Sequence, residues 1–140
     1  MAVRVRIRIE RIAVAHPPSV ETVAVANSGF ESQKPEVLLP VRVAERLGLW
    51  PPPATARTER FESPAAAFGM VSVPRALAIS LVGNKRRARC DAVISERETE
   101  VVLNDLAVDA LRLELVAAGR GLYRIGARGR VRPSEKPERW

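Results

Sequence analysis

The sequence contains one cysteine, Cys90, and one histidine, His16. A single cysteine excludes a disulfide within the chain and is typical of a reducing compartment, so we expect a cytoplasmic protein. The two residues supply too few Cys/His ligands for a zinc finger, and no metal or organic cofactor is expected. No apolar run approaches about 18 residues, the length at which a transmembrane helix is indicated, so we expect no membrane contact.

Aromatic residues are scarce as well, at 4% of the chain. Proteins that recognise single-stranded nucleic acid stack bases on aromatic side chains that lie among basic ones. The few aromatic residues here are not interleaved with arginine and lysine in that way. Base-specific recognition is therefore not expected, and only contacts to a phosphate backbone remain open.

The formal net charge is +7, and basic residues concentrate in three places. Each group is a candidate contact for a nucleic-acid backbone, and the alternative is that all are solvated side chains of a soluble protein. The groups are Arg4, Arg6 and Arg8 in the first predicted strand, Lys85, Arg86 and Arg87 in a predicted turn, and Arg128, Arg130 and Arg132 near the end of the sequence.

Length and composition predict one domain followed by a tail. The chain has 140 residues, of which 46% are hydrophobic, enough for one folded core. Residues 126–140 consist largely of Gly, Arg, Pro and Glu, a composition that predicts disorder. We therefore expect a domain over residues 1–125 and a basic, disordered tail over residues 126–140 that ends in an exposed Trp140.

The hydrophobic pattern predicts many short strands. Residues 3–9, VRVRIRI, alternate strictly, as a half-buried strand does, and residues 20–26, VETVAVA, are predicted to return beside them. Gly83-Asn84-Lys85 separates two apolar runs and predicts a hairpin turn. Further strands are predicted at 37–39, 70–82, 88–94, 99–103, 113–116 and 122–125.

Two short helices interrupt these strands. Pro40 fits the first position of one helix, and Gly48 is placed to end it. Asn104 or Asp105 can cap a second helix over residues 106–111. Short strands with two short helices predict a mainly β fold with a closed or sandwich-like sheet.

Two segments resemble the retropepsin-like aspartic peptidase domains. In residues 23–49, VAVANSGFESQKPEVLLPVRVAERLGL, an apolar strand runs into Asn-Ser-Gly, and a strand ending in Leu-Pro leads into a Val-Ala-Glu-Arg-Leu-Gly-Leu helix. Residues 100–113, EVVLNDLAVDALRL, are similar to the family's later apolar strand and the short helix after it. The resemblance covers roughly residues 3–125.

The resemblance implies a closed β-barrel with two short helices, one lobe per chain, in a homodimer. In that family the catalytic loops of the two chains meet at the dimer axis beneath paired flap hairpins, and residues 54–70 correspond to the flap here. The ligand implied is a peptide or a protein.

One departure from the family concerns the catalytic position itself. Asn27-Ser28-Gly29 stands where the family has Asp-Thr/Ser-Gly. In aspartic peptidases two carboxylates about 3 Å apart share one proton, so that one activates water while the other donates to the carbonyl. The amide of Asn27 neither ionises nor takes up a proton at useful pH, whereas Ser28 and Gly29 still suit the loop's geometry. The resemblance therefore implies no catalytic residue and no peptidase activity.

Three hypotheses of function remain open at this point. The leading one is a catalytically inactive retropepsin-like homodimer that binds a peptide or protein or acts as a scaffold. The second is a basic protein on the same fold that associates non-specifically with nucleic acid or ribonucleoprotein. The third is an aspartic endopeptidase whose inactive Asp-to-Asn variant is represented by this sequence.

Overall fold

A computed structural model describes residues 2–26, 32–62 and 67–140 of the chain. The strands in these ranges are β1 Val3–Arg11, β2 Ser19–Ala26, β3 Glu36–Pro40, β4 Arg57–Glu62, β5 Ala67–Leu81, β6 Ala88–Ser95, β7 Val101–Leu103, β8 Leu113–Ala117, β9 Leu122–Ile125 and β10 Arg132–Pro133. The α-helices are α1 Val41–Arg46 and α2 Asp105–Ala110, and a short 3-10 helix spans Ala118–Arg120. No helix among the described residues is both long and apolar enough to span a bilayer.

Six of the strands form a closed barrel. They follow the order β1-β2-β7-β3-β6-β5, and β1 pairs again with β5, with Ile7 opposite Leu81 and Arg11 opposite Leu77. β4 extends β5 outside this ring, and β8, β9 and β10 form a separate small sheet. The predicted mainly β fold with a closed sheet and two short helices is thus confirmed.

The barrel interior is filled by the alternating residues of its strands. Val3, Val5, Ile7 and Ile9 of β1 are at most 1% exposed and belong to one hydrophobic core cluster. Because successive side chains of a strand point to opposite faces, the arginines between them lie on the outer face. The strict alternation of the sequence therefore specifies which face of β1 is buried.

Local sequence determines where the two helices begin and end. Gly48 follows α1 with φ +70°, a backbone conformation that favours glycine. Arg11 Nη1 donates to the Gly48 carbonyl at 2.6 Å. At α2, the predicted cap is Asn104, whose Oδ1 accepts from Ala107 N at 2.9 Å.

Three predicted hairpins are present. β1 pairs antiparallel with β2, and β5 pairs antiparallel with β6 across Gly83-Asn84-Lys85. The segment expected to be the flap, 54–70, also contains a hairpin, since β4 and β5 pair from Arg57 opposite Ser72 to Glu62 opposite Ala67. Residues 63–66, between these two strands, lie outside the described residues.

The structure corrects the expectation of a disordered tail over 126–140. β10 pairs with β9, Glu135 N donates to the Arg4 carbonyl at 2.9 Å, and Trp140 N donates to the Thr99 carbonyl at 2.8 Å. Trp140 is half-buried rather than exposed and packs against the core cluster. Composition predicted disorder because it takes no account of hydrogen-bonding partners elsewhere in the chain.

Candidate functional site

The residues predicted to form the degenerate catalytic loop, Asn27, Ser28 and Gly29, lie outside the described residues. The strands that lead into and out of the loop are described. β2 ends at Ala26, which lies beside Leu103 in the parallel strand β7, and β7 in turn pairs with β3. The end of β2 and the start of β3 therefore both lie beside the end of β7.

Asn104 anchors the start of β3 and the residues just before it. Its side chain is fully buried, and Oδ1 accepts from Glu36 N at 3.0 Å as well as from Ala107 N at 2.9 Å. Its Nδ2 donates to the Lys34 carbonyl at 2.7 Å. One side chain thus joins the segment before β3 to the first turn of α2. The sequence predicted the cap, but the bonds to Lys34 and Glu36 have no local signal.

A polar groove lies between this segment and the base of the β4–β5 hairpin. Its volume is about 280 Å³. Its lining combines neutral, basic and acidic side chains, namely Ser32, Gln33, Lys34, Glu36, Arg57, Ser72, Pro74 and Asp91. Such a lining offers both donors and acceptors of hydrogen bonds, which suits a ligand that has both, such as a peptide backbone.

A second pocket of about 360 Å³ adjoins the groove and shares Lys34 and Asp91 with it. Asp91 is 7% exposed, and its Oδ1 accepts from Arg75 N at 2.8 Å. Arg75 has φ +52° and lies where the β5–β6 register shifts. Sequence reasoning missed both residues, although Pro74 inside an apolar strand is a signal for such an irregularity.

Cys90 also lines the second pocket but is 2% exposed. Burial, reinforced by the negative charge of Asp91, raises the pKa of this thiol to about 12. A thiol is nucleophilic only when ionised, so Cys90 is a core residue and not a nucleophile at neutral pH. This agrees with its interpretation from the sequence as a small apolar residue in a strand.

The basic face of β1 is partly neutralised by carboxylates. Arg4 Nε and Nη2 donate to the two oxygens of Glu100 at 2.9 and 3.1 Å, and this hydrogen bonding raises the pKa of Arg4. Arg6 pairs with Glu138 of the tail. Arg8 is exposed, and no carboxylate of the described residues lies within ion-pair distance of it. Two of the three candidate phosphate contacts on this strand are therefore engaged within the protein.

The remaining basic candidates lie on exposed connections. Lys85 and Arg86 follow the β5 turn and are exposed, and Arg87 beside them pairs with Glu10 at 3.2 Å. Arg128, Arg130 and Arg132 are exposed in the segment between β9 and the end of β10. The structure thus places the three basic groups on different elements: β1, the β5–β6 turn and the connection into β10.

Comparison with known families and proteins gives no assignment. No family model matches the chain, and no curated protein matches it. The function must therefore be inferred from the residues and the geometry described above.

Proposed function

We propose that this chain is a homodimeric module that binds a peptide or protein segment and carries a retropepsin-like barrel without peptidase activity. The observation that carries the proposal is the groove of about 280 Å³ between residues 32–36 and the β4–β5 hairpin. Its lining begins at Ser32, three residues after Gly29, and the groove adjoins the hairpin that the sequence resemblance identifies as the flap.

The lining of the groove favours an extended peptide over other ligands. Ser32, Gln33 and Ser72 provide neutral hydrogen-bonding groups, while Glu36 and Arg57 provide opposite charges. A peptide backbone presents one donor and one acceptor per residue and can use both kinds of group. The lining also contains Lys34 and Asp91, so its two cations are matched by two carboxylates. The groove therefore has no excess of positive charge that would favour a nucleic acid over a peptide.

The lack of activity follows from the chemistry of position 27. An amide cannot accept a proton from water, so two Asn27 side chains do not produce the hydroxide equivalent that peptide hydrolysis needs. The buried anchor Asn104 still holds the segment after the loop by bonds of 2.7 and 3.0 Å. A segment that is held in place beside a loop without a base can take part in binding, but the loop cannot activate water.

The proposal requires two chains. Each chain supplies one such loop, and in the retropepsin-like arrangement a complete cleft needs a loop from each of two subunits related by a twofold axis. Sedimentation equilibrium at micromolar concentration is expected to give twice the mass of the chain. A monomer under these conditions would contradict the proposed cleft.

Peptide binding is tested by obstructing the groove. A fluorescein-labelled pool of random peptides of about ten residues is titrated with the wild-type protein and with Gln33→Trp, since Gln33 is an exposed residue of the lining. Gln33→Trp is expected to weaken binding at least about tenfold, a loss of about 1.4 kcal/mol. The control is Lys85→Trp, which introduces the same side chain at another exposed site, in the β5–β6 turn. Equal affinities for the wild type and Gln33→Trp would refute binding in this groove.

A further inference from the structure

Three cationic side chains line the second pocket, the one of about 360 Å³ that adjoins the groove. They are Lys34, Arg75 and Arg89, which come from the segment before β3, from β5 and from β6. All three residues are exposed. We refer to this pocket as the basic pocket.

The charges of the basic pocket are not balanced by ion pairs within the described part of the chain. Each of the four salt bridges found there involves other arginines, Arg4, Arg6, Arg87 and Arg124. The acidic residue of the lining is Asp91, whose Oδ1 already accepts from Arg75 N. Three cations against one carboxylate leave the pocket with an excess of positive charge.

The backbone at Arg75 adopts an unfavourable conformation. A positive φ is rare for a residue with a side chain, yet Arg75 has φ +52° between Val73 and Leu77, where the register of β5 against β6 shifts. Asp91, which is 7% exposed, holds this conformation through its bond to Arg75 N, and its own N–H donates to the Pro35 carbonyl at 3.0 Å. Strained backbone and bulges of this kind often direct a side chain toward a binding site.

We propose that the basic pocket binds the acidic side chains of a peptide seated in the groove, so that the module selects peptides rich in Asp or Glu. The inference rests on the proposed peptide-binding function. Carboxylates satisfy arginine and lysine donors by charge-assisted hydrogen bonds. Lys34 lines both the groove and the basic pocket and thus connects the two sites.

A peptide carboxylate fits this site better than a nucleic-acid backbone. The pocket is a confined concavity that contains the carboxylate of Asp91, and the adjoining groove contains that of Glu36. A nucleic-acid strand requires a continuous basic track, and repulsion from these carboxylates would oppose its phosphates. A single acidic side chain needs only one site, and the three cations of the pocket outnumber its one carboxylate, Asp91.

The test compares two peptide pools and two charge-matched variants. The pools contain random peptides of about ten residues with two fixed Glu residues or with Gln at the same positions. The pocket variant combines Lys34→Gln, Arg75→Gln and Arg89→Gln. Glutamine, like arginine, has a Cβ, so the substitution at position 75 does not change the strain of the positive φ. The control variant removes the same number of charges from exposed sites elsewhere through Lys85→Gln, Arg86→Gln and Arg128→Gln. Affinities are measured by fluorescence anisotropy, and a labelled single-stranded RNA is titrated in parallel.

We expect the Glu pool to bind the wild type about tenfold more tightly than the Gln pool, since each partly exposed charge pair contributes a modest amount. The pocket variant should lose this preference, and the control variant should keep it. Equal binding of both pools would overturn the acidic preference and leave the proposed function intact. If both variants lose the preference for the Glu pool equally, the preference arises from net charge and not from the basic pocket. If RNA binds more tightly than the Glu pool and its binding is weakened in the pocket variant, the pocket binds nucleic acid instead.

A separate measurement distinguishes failure of the pocket from failure of the groove. Acetyl-Glu-Glu-amide is too short to fill the groove, and its binding is followed through the backbone amide NMR shifts of residues 34, 75 and 89. Shifts at these residues without tight binding of either pool would support the basic pocket and contradict the proposed function. Absence of shifts, together with equal or no binding of the pools, would overturn the basic pocket.

Discussion

Trp140 Nε1 donates a hydrogen bond to Thr22 Oγ1 at 3.0 Å, joining the tail to a buried residue of β2 across 118 positions of sequence. The guanidinium of Arg46 in α1 lies 5.0 Å from the centroid of the same ring. Thr22 Oγ1 in turn donates to Glu138 Oε2 at 3.3 Å. The indole therefore connects the tail, the barrel and the first helix.

Trp140→Ala is expected to lower the free energy of unfolding by about 2 kcal/mol. The loss combines a hydrogen bond of about 1 kcal/mol, a cation–π contact of about 0.5 kcal/mol and some apolar burial. The control is Arg139→Ala, which removes the exposed neighbouring side chain. Urea denaturation followed by circular dichroism measures both. Equal stabilities of the two variants would show that the indole does not hold the tail in place.

Asn104→Ala is expected to lower the free energy of unfolding by about 3 kcal/mol, because a helix cap and two further buried hydrogen bonds are lost together. Asn104→Asp keeps the acceptor for Ala107 N and Glu36 N but replaces the donor to the Lys34 carbonyl. The unfolding free energies in urea separate these contributions. If Asn104→Ala costs no more than a helix cap alone, about 1 kcal/mol, the anchoring of Lys34 and Glu36 is not a significant interaction.

The sequence predicts the local features of the fold well. The alternation in VRVRIRI predicts both β1 and its buried face, and the positions of Asn104 and Gly48 predict the start of α2 and the end of α1. These features depend on neighbouring residues and on the geometry of one strand or one helix, so they can be derived without knowledge of the rest of the fold.

The parts that sequence reasoning missed depend on distant partners. Nothing in the alternation of β1 indicates that Arg4 pairs with Glu100 or that Arg6 pairs with Glu138. The tail has the composition of a disordered segment, yet hydrogen bonds to Arg4, Thr22 and Thr99 hold it against the barrel. The sequence predicts a closed sheet. It does not predict which charged side chains come together when the sheet closes.

Cys90 is expected to resist alkylation in the native protein. With a pKa of about 12, roughly one thiol in ten thousand is ionised at pH 8, compared with about one in four for an unperturbed thiol. Mass spectrometry after treatment with iodoacetamide should show unmodified protein in buffer and complete modification in urea. Rapid modification of the folded protein would contradict the buried environment described for this residue.

Asn27→Asp tests whether the two loops of the proposed dimer face each other. Two facing carboxylates repel, so one should keep its proton and have a folded pKa above the unfolded value of about 3.9. The native dimer of the variant then binds more protons than the unfolded chains. Relative to the parent, its stability should therefore fall as the pH rises from the unfolded pKa through the raised one, by about 1.4 kcal/mol per dimer for each unit of the pKa difference.

Urea denaturation of the parent and of Asn27→Asp across about pH 3 to 8 measures this difference. The control is Asn84→Asp, which introduces the same charge in the exposed β5–β6 turn and should show little dependence on pH. A flat difference between Asn27→Asp and the parent would mean that the two side chains do not face each other. The retropepsin-like arrangement of the loops would then be wrong.

The central claim, binding without cleavage, is tested most directly by recovering the peptides after incubation. The random peptide pool is incubated with the protein between about pH 3 and pH 8, the bound fraction is isolated, and bound and free peptides are analysed by mass spectrometry. We predict that the wild type retains peptides, that Gln33→Trp retains fewer of them, and that all peptides are recovered intact at every pH. The mass of the protein is measured first to confirm that it contains Asn27. Peptide cleavage by this protein that an aspartic-peptidase inhibitor blocks would contradict binding without cleavage.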